Sequence, residues 1–557
     1  MLIDLLIHNA RILTQDPAHP VAENLLVHNG TILAVDEPKT HLIAVKETID
    51  AQQAIIAPGF NDAHAHSVWF GLTLTEADLS KVTTPTAAYD IISEAAASLP
   101  PDQWVIASRF NPLALDGHRL DRKQLDAAAG NRPVWIKHSS GHACTTNSAG
   151  LALIAQNHNL SGPIKGGVVV TDKTGHPTGL LEENAMRLVQ DIVLPYPLET
   201  IEKALDLATA HYLTEGITSV TDAGIAGGWI GHSPQEFAAY QNARDHGRLH
   251  VRTQVMIVLD ALNPLLGHID DPLSIGLSAG VRTGLGDDWL RLGPVKIFSD
   301  GSLLGSTAYM SEDYVGCPDN HGYLQMSADD LQSSTLNAYS AGWAIAMHAI
   351  GDRAVDFAID LIIEAQEKYG SNTVPNRIEH GGVVRPDQLD RIAKAGIVLV
   401  PQPHFIAEFG DQMADLLGPD RTALSYPAKS LLARGAVLPG SSDRPVSNGR
   451  PLDVMQAFVE RLTPNGLVYG ADERISAEQA LAAYTRGSAT ATGSSNKGRV
   501  MPGCLADLVF LDDDPTTVPS SLISAVTVLG TMINGRMRYD PHREFTALSI
   551  SVDRRAQ

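Results

Sequence analysis

Short apolar runs alternate with longer segments of helical periodicity over most of the chain. Eight runs are predicted to be strands, because they are apolar, contain β-branched residues and are bounded by turn residues. They lie at residues 55–66, 216–222, 251–259, 292–298, 343–348, 376–380, 396–400 and 436–442. Helical segments lie between them, among them 201–215, 328–341, 353–368 and 386–395. This α/β alternation predicts a closed parallel (β/α)8 TIM-like barrel, whose catalytic residues lie at the C-terminal ends of the strands.

The two ends of the chain show a different pattern, in which brief alternating strands are separated by turn residues. Before residue 58, short apolar runs are separated by turn signals such as His28-Asn29-Gly30. Near the other end, residues 506–511 and 525–529 are strand-like, and Asn534-Gly535 is a hairpin signal. Neither group can bury much apolar surface alone, so both ends together are predicted to form one small β-sandwich.

Residues 80–195 interrupt the alternation after the first barrel strand. They combine a helix-like stretch at 86–98 with strand-like stretches at 103–107, 133–137 and 167–171. Many turn residues separate these stretches, which predicts an α/β insert after barrel strand 1. The predicted domain organisation is a first part of the β-sandwich at 1–57, barrel strand 1 at 58–79, the inserted lobe at 80–195, the remainder of the barrel at 196–494 and the second part of the β-sandwich at 495–557.

The composition is that of an ordinary globular protein, with 44% hydrophobic and 19% charged residues. At 557 residues the chain exceeds the usual size of one core, so two or three domains are expected. Lysine and arginine number 41 against 63 acidic residues, a formal charge of −22. This charge argues against nucleic acid as a partner, because binding phosphates needs a basic surface.

Cysteine usage and the apolar profile predict a cytoplasmic location. Cys144, Cys317 and Cys504 are far apart and form no C-x-x-C motif, so a disulfide framework is not expected. No apolar run reaches the length that spans a bilayer, and no signal peptide is evident at the N-terminus. We therefore expect no membrane partner, and a symmetric homodimer is the default assembly.

The first predicted strand ends in a pair of histidines, His64 and His66. Side chains alternate along a strand, so both imidazoles point to the same side. Two imidazoles held on one face can bind one divalent metal, and histidine is a common ligand of zinc. A chain with 21 histidines also makes some H-x-H pairs by chance, so the other strand ends decide between these interpretations.

Four further predicted strands carry, within them or at their ends, side chains that can also bind a metal. Lys296 lies inside an apolar run, where a lysine is costly unless it is paired, neutralised or modified, although a lysine at a barrel rim can also extend to water. His348, His380 and Asp443 follow the ends of the fifth, sixth and eighth strands. Each alone is more often a satisfied polar residue than a ligand. Together with the histidine pair they predict a metal centre.

This arrangement resembles the amidohydrolase superfamily, in particular the branch that includes the N-substituted formamide deformylases and related metal-dependent hydrolases. The superfamily has H-x-H on strand one, lysine on strand four, histidines on strands five and six and aspartate on strand eight. The segments that match this branch are Pro58-Gly59-Phe60-Asn61-Asp62-Ala63-His64-Ala65-His66, Gly141-His142, Val295-Lys296-Ile297-Phe298-Ser299-Asp300-Gly301-Ser302, His348-Ala349-Ile350-Gly351-Asp352-Arg353-Ala354, Arg377-Ile378-Glu379-His380 and Ser442-Asp443-Arg444-Pro445-Val446.

The resemblance implies a ligand set for one or two metal ions. His64, His66 and Asp443 are expected to bind the more buried ion, and His348 and His380 the second. Lys296 is expected to bridge both as a carbamate. Zinc is the expected metal, although imidazole and carboxylate ligands also suit other divalent ions.

The resemblance also implies a hydrolase that cleaves a C–N amide bond other than a peptide bond in a small-molecule amide, such as an N-formyl or other small N-acyl amine. Asp443 is expected to act as the general base on a metal-activated water. His142 is a candidate substrate contact, but it is as readily a loop histidine bonded to its own backbone. Trp69 is a candidate wall of the substrate pocket, and plain packing is an equal explanation.

Other functions fit parts of the same pattern. A carbamate, a lactam or an ester is also a substrate type of this superfamily. Its deaminases pair the strand-five histidine with glutamate as H-x-x-E and lack the strand-four lysine, whereas here Gly351 occupies the glutamate position and Lys296 is present. A non-catalytic scaffold with this fold is disfavoured because every ligand type is retained. A serine hydrolase is disfavoured because no G-x-S-x-G motif follows a strand.

Overall fold

The computed structural model describes residues 2–38, 40, 43–100, 103–115, 118–139, 141, 143–160, 162, 164, 167–270 and 275–549. The chain divides into two compact units. The first unit comprises Met1–His66, Thr209–Gly228 and Tyr240–Gln557, and the second comprises Ser67–Ala208 and Trp229–Ala239. Among the described residues, no helix combines the length and the apolar character needed to cross a bilayer.

Seven parallel strands of the first unit form one sheet of a TIM-like barrel. They are β1 Phe60–Ala65, β2 Ile217–Ile225, β3 Arg252–Val258, β4 Leu290–Phe298, β5 Ile345–Ala349, β6 Arg377–His380 and β7 Val398–Val400. Each of these strands pairs with the next one along the chain, so the strands follow one another in the sheet from β1 to β7. The register places Phe298 opposite His348, and Ala349 opposite His380, so the ends of β4, β5 and β6 lie at one level of the sheet.

The prediction of an eighth strand at residues 436–442 is wrong, because this segment closes the barrel without forming a regular strand. Residues 436–442, all of them described, have no strand geometry. Single hydrogen bonds hold the segment instead, because the amide of Ala63 donates to the carbonyl of Gly440 at 3.0 Å and Ser441 Oγ donates to the carbonyl of Pro401 at 2.9 Å. Pro439 has no amide hydrogen, and the amide of Gly440 donates to Ala483 at 2.9 Å, so a continuous ladder cannot form.

The predicted first strand is also corrected, since residues 55–66 form two strands. Ile55–Pro58 belongs to a different sheet from β1, and the chain passes from one sheet to the other at Gly59. The amide of Gly59 donates to the carbonyl of Asp507 at 2.9 Å. A Cβ atom on Gly59 would lie 2.2 Å from Cγ2 of Thr218, so only glycine fits this crossing.

Helices follow the barrel strands close to the predicted positions. The four predicted segments are found as Leu198–Thr214, Ala328–Ser340, Asp352–Tyr369 and Pro386–Ala395. The side chain of Ser327 caps the second of these by accepting a hydrogen bond from the amide of Asp330. The other α-helices that lie wholly or partly in the first unit are Glu236–Asp245, His404–Thr422, Lys429–Ala433, Pro451–Glu460, Ala477–Ala482 and Ser488–Ala491.

Both ends of the chain contribute strands to two further sheets of the first unit. The five-stranded sheet has the order Leu548–Ser549, Val45–Asp50, Ile3–His8, Leu25–His28 and Thr31–Val35. The six-stranded sheet has the order Arg536–Tyr539, Val528–Ile533, Leu508–Leu511, Ile55–Pro58, Arg11–Leu13 and Val21–Ala22. Side chains from both sheets, such as Leu5, Ile56 and Phe510, share one buried core.

The second unit contains a mixed six-stranded sheet and several α-helices. The strand order is Gly167–Thr171, Pro177–Glu183, Ala143–Thr146, Val134–His138, Val105–Phe110 and Ala77–Asp78. The helices are Ser67–Thr73, Pro85–Ser98, Arg122–Ala129, Ser148–Ile154 and Arg187–Val193. Val134 and Ile136 belong to one hydrophobic core, whereas Trp135 belongs to another, because neighbouring side chains of a strand point to opposite faces.

A buried ion pair joins the barrel to the C-terminal strands. Arg252 on β3 donates to Asp507 through Nε at 2.5 Å and through Nη2 at 3.1 Å. Asp507 also accepts the amide of Asn534 at 2.9 Å. Both charged side chains are almost fully buried, so each depends on the other for compensation of its charge.

Replacing Asp507 by alanine is therefore expected to destabilise the protein by about 3–5 kcal/mol, because it leaves the guanidinium of Arg252 buried and unpaired. Urea unfolding measures the loss, and Asp513→Ala, an exposed aspartate of the same segment, is the control. Equal stability of the two variants would show that this ion pair does not hold the sheets together.

Candidate metal centre

The end of β1 places two histidines together in the barrel. His64 is fully buried and His66 is 6% exposed. Their ring centroids are 5.5 Å apart. The alternation of side chains along the strand brings both rings to one side, as the sequence predicts.

Asp443 meets this histidine pair from the segment that closes the barrel. Its Oδ1 lies 3.2 Å from Nε2 of His64 and 3.0 Å from Nε2 of His66. Its backbone amide donates to the carbonyl of His64 at 2.7 Å, which fixes the segment against β1. One ligand-type atom from each of the three residues lies within 4.8 Å of the others.

The three residues fit a divalent cation. His64 Nε2 and Asp443 Oδ1 are buried and, among the described residues, have no partner in hydrogen-bond geometry. A buried carboxylate oxygen and a buried imidazole nitrogen without such partners are costly, and a shared cation would satisfy both.

His348 on β5 and His380 on β6 lie next to this group. The His380 ring centroid is 4.9 Å from that of His64 and 4.5 Å from that of His348. His380 Nδ1 lies 2.7 Å from Oε1 of Gln402, which leaves Nε2 as its ligand atom. His348 Nε2 lies 3.0 Å from the carbonyl of Gly301, which leaves Nδ1.

Lys296 on β4 is 1% exposed and interacts electrostatically with the same group. Burial lowers the pKa of Lys296 to about 8, although the carboxylates of Glu379 and Asp443 oppose this shift. At neutral pH a larger share of Lys296 is therefore uncharged than of an ordinary lysine. The structure brings all six ligand positions predicted from the sequence to one place.

The protonation of four of the ligand groups suits metal binding, whereas Glu379 and Asp443 outweigh burial and raise the pKa of His64. Burial lowers the pKa of His66, His348 and His380, in the last case to about 3, so these imidazoles are neutral. Burial alone would raise the pKa of Asp443, but His64 and His66 outweigh it and hold that pKa well below its usual range. Neutral imidazoles and an ionised carboxylate are the forms that bind metals.

The profile of the amidohydrolase family matches residues 47–539. The chain belongs to the amidohydrolase family. The family predicted from the strand-end motifs is thereby confirmed.

Named relatives match this chain along nearly its whole length. This amidohydrolase is 30% identical over 548 residues to the protein LONG AFTER FAR-RED 3 of Arabidopsis thaliana, covering 97% of this chain and 92% of that one. It is 28% identical over 553 residues to the N-substituted formamide deformylase of Arthrobacter pascens, covering 96% and 98%. An uncharacterized metal-dependent hydrolase from Pyrococcus horikoshii OT3 superposes with a TM-score of 0.74 at 25% identity, covering 93% of this chain and 99% of that one.

Sequence reasoning missed Glu379, the residue that orients His64 in this amidohydrolase. His64 Nδ1 hydrogen-bonds to Oε2 of Glu379. Arg377 holds the same carboxylate through Nε at 2.8 Å and Nη2 at 2.7 Å. Burial opposes ionisation of Glu379, but Arg377 and His64 outweigh it and lower the pKa of the carboxyl, so it is ionised and fixes Nε2 of His64 as the ligand atom.

The backbone of β6 explains how Glu379 and His380 both reach the centre. Neighbouring residues of an extended strand point to opposite faces. His380 has a φ of 75°, which is outside the extended region, and this departure allows both side chains to approach His64. The only signal for Glu379 in the sequence was its spacing from Arg377, two positions earlier in a short buried strand.

Gln402 orients His380, and Asp300 orients His348. Gln402 Nε2 donates to the carbonyl of Val400 at 2.9 Å and to Ser441 Oγ at 3.0 Å, so its Oε1 faces His380. Asp300 accepts the amides of Tyr309 and Gly351, both at 2.9 Å, and its Oδ1 lies 3.5 Å from Nε2 of His348. These contacts fix the ring nitrogens that each histidine presents.

The two predicted substrate contacts have different outcomes. His142 lies outside the described residues, so its role stays a prediction. Trp69 is on helix Ser67–Thr73 of the second unit, where it lines a pocket formed within that unit. Its contact with a substrate also stays a prediction.

Glu379→Gln is expected to weaken metal binding by about 10- to 100-fold, because the amide no longer holds Nδ1 of His64 as a charged acceptor. Titration of the metal-free protein with zinc by calorimetry measures the change. Glu367→Gln, on an exposed position of helix Asp352–Tyr369, is the control. Unchanged zinc affinity in Glu379→Gln would refute the orienting role.

Proposed function

We propose that this amidohydrolase hydrolyses the C–N bond of a small non-peptide amide, with an N-formyl or other small N-acyl amine as the substrate class. The observation that supports it is the position of Asp443, whose Oδ1 lies 3.2 Å and 3.0 Å from two histidine nitrogens of the centre. An ionised carboxylate beside the metal ligands is placed to accept a proton from the attacking water.

The geometry of the centre supports an assignment of the metal ligands. We infer that His64, His66 and Asp443 hold one divalent ion, and that His348 and His380 hold a second. Zinc suits imidazole and carboxylate ligands, and other divalent ions are compatible with them. When bound, the metal supplies a Lewis acid that lowers the pKa of water to roughly 7 and polarises the scissile carbonyl.

We propose that Lys296 would also help to hold the metal, as a carbamate. Its neutral amine would add to the carbon of carbon dioxide and release one proton, which leaves an anionic ligand. The pKa of about 8 supports this proposal, because only the neutral amine has the free electron pair for the addition. The change would also replace a buried cation beside neutral histidines by a ligand of opposite charge.

The chain's own residues account for the proton transfers. Asp443 would accept the proton of the water that attacks the amide carbon, and then return it to the departing amine. Its low pKa means that it begins the reaction ionised.

Two features favour amide hydrolysis over the other functions of the family. Gly351 stands where a deaminase has glutamate, and its amide donates to Asp300 at 2.9 Å, so the position serves the backbone. The relative from Arthrobacter pascens, which matches along nearly the whole chain, is named a deformylase of N-substituted formamides. A cytoplasmic homodimer acting without nucleic acid or membrane remains part of the proposal.

Asp443→Asn is expected to lower turnover by about 10²–10⁴-fold, because the amide cannot accept the proton of the water. The variant should keep most of its metal through the two histidines, as elemental analysis would show. Asp420→Asn, at an exposed position, is the control. Turnover close to that of the unchanged protein in metal-loaded Asp443→Asn would rule out the proposed base.

Removal of the metal with a chelator is expected to abolish hydrolysis, and zinc or manganese is expected to restore it. The assay is a panel of formamides, N-acyl amino acids, carbamates, lactams and lactones. Release of amine from the formamides or N-acyl amines supports the proposed substrate class. Activity confined to lactones would contradict C–N cleavage, and activity that survives complete metal removal would contradict the metal centre.

A further inference from the structure

The second unit contains a pocket lined in part by Trp69, whose contact with a substrate stays a prediction. It encloses about 560 Å³ of space free of protein atoms, including its open mouth. Three of the six tryptophans of the chain line it. We call it the aromatic pocket, and its main apolar residues are Trp69, Trp135, Met186, Leu194, Trp229 and Ile230.

The strand Val134–His138 supplies one wall of the aromatic pocket. Trp135 and Lys137 are two positions apart, so their side chains lie on the same face of the strand. Cys144 on the neighbouring antiparallel strand stands opposite Lys137 and also lines the pocket. A tryptophan ring and an ammonium group therefore lie side by side in this wall, with Nζ of Lys137 4.5 Å from the centroid of the Trp135 ring.

The other two tryptophans meet at Gly141, which has a φ of 73°. A Cβ atom at this position would lie 3.3 Å from Cη2 of Trp69 and 3.8 Å from Cζ3 of Trp229. A larger residue at this position would therefore contact both indole rings, and the positive φ of the turn also favours glycine.

Lys137 is the charged group of the pocket wall. Its Nζ donates to Oε1 of Glu76 at 2.5 Å, and both side chains are largely buried. Burial lowers the pKa of Lys137, but Glu76 outweighs it and the net shift is upward, so the ammonium stays charged. A buried ion pair is costly to build, and here it places a strong hydrogen-bond donor in an aromatic wall.

The charges of the pocket define its ligand. Glu76 already neutralises Lys137, so a neutral acceptor such as a carbonyl oxygen suits the ammonium better than a second carboxylate. Burial lowers the pKa of His138 to about 4, so this lining residue is uncharged. His232 Nδ1 lies 3.0 Å from Oε1 of Glu236, so this lining residue already has a polar partner outside the pocket wall.

We propose that the aromatic pocket binds a small neutral molecule made of one aromatic ring and a carbonyl group. The ring lies among Trp69, Trp135 and Trp229, and the carbonyl oxygen accepts a hydrogen bond from Lys137. The inference concerns binding within the second unit, and it holds whether or not the proposed hydrolysis is correct.

Calorimetric titration of the purified full-length protein with acetophenone tests the proposal. Acetophenone has the ring and the carbonyl but no C–N bond, so failure of the hydrolase proposal cannot affect the result. We expect saturable binding of one molecule, and binding of cyclohexyl methyl ketone weaker by about tenfold because it lacks an aromatic face. No saturable binding of acetophenone, equal binding of the saturated ketone, or tighter binding of benzoate would overturn the proposal.

Two variants locate the binding. Trp229→Leu is expected to weaken acetophenone binding by about tenfold, whereas Trp289→Leu, a tryptophan of the first unit, should leave it unchanged. The double variant Lys137→Met with Glu76→Gln removes both charges, so no buried carboxylate is left unpaired, and should weaken binding by about tenfold. If circular dichroism shows that the double variant is unfolded, Trp229→Leu alone decides. Unchanged affinity in Trp229→Leu would overturn the location.

Discussion

The carboxylate of Asp443, buried between two imidazoles, is the constraint on which the centre depends. Its oxygen is 3.2 Å and 3.0 Å from histidine nitrogens and is removed from water. Such a charge is stable only beside a positive charge or a metal. Arg377 compensates Glu379, and the histidines of the group other than His64 are held neutral, so the centre is arranged to accept a cation.

The backbone departs from regular strand geometry at two residues of the centre. Asp443 and His380 have φ values of 58° and 75°, in the left-handed region that costs non-glycine residues about 1–3 kcal/mol each. His380 lies at the end of β6, and Asp443 directly follows the segment 436–442 that closes the barrel. The surrounding hydrogen bonds, from Asp443 to the carbonyl of His64 and from Gln402 to Ser441, hold this geometry in place.

The sequence was informative where a short motif stands at the end of an apolar run. His64, His348 and His380 could be identified in this way, since strand ends meet at one mouth of a parallel barrel. Glu379 could not be, because an Arg-x-Glu pair in a strand reads as an ordinary ion pair until its partner His64 is known. The irregular segment at 436–442 was also hidden, since hydrogen bonding of Gly440 to Ala483 is a long-range contact that no local pattern records. The aromatic pocket depends on Trp69, Trp135 and Trp229 coming from three separate parts of the chain, which sequence spacing does not reveal.

Anomalous diffraction at the zinc edge, on crystals of the zinc-loaded protein, tests the central claim most directly. The account predicts a strong anomalous peak within bonding distance of His64, His66 and Asp443. A well-ordered centre without a peak there, in protein that had been saturated with zinc, would contradict it.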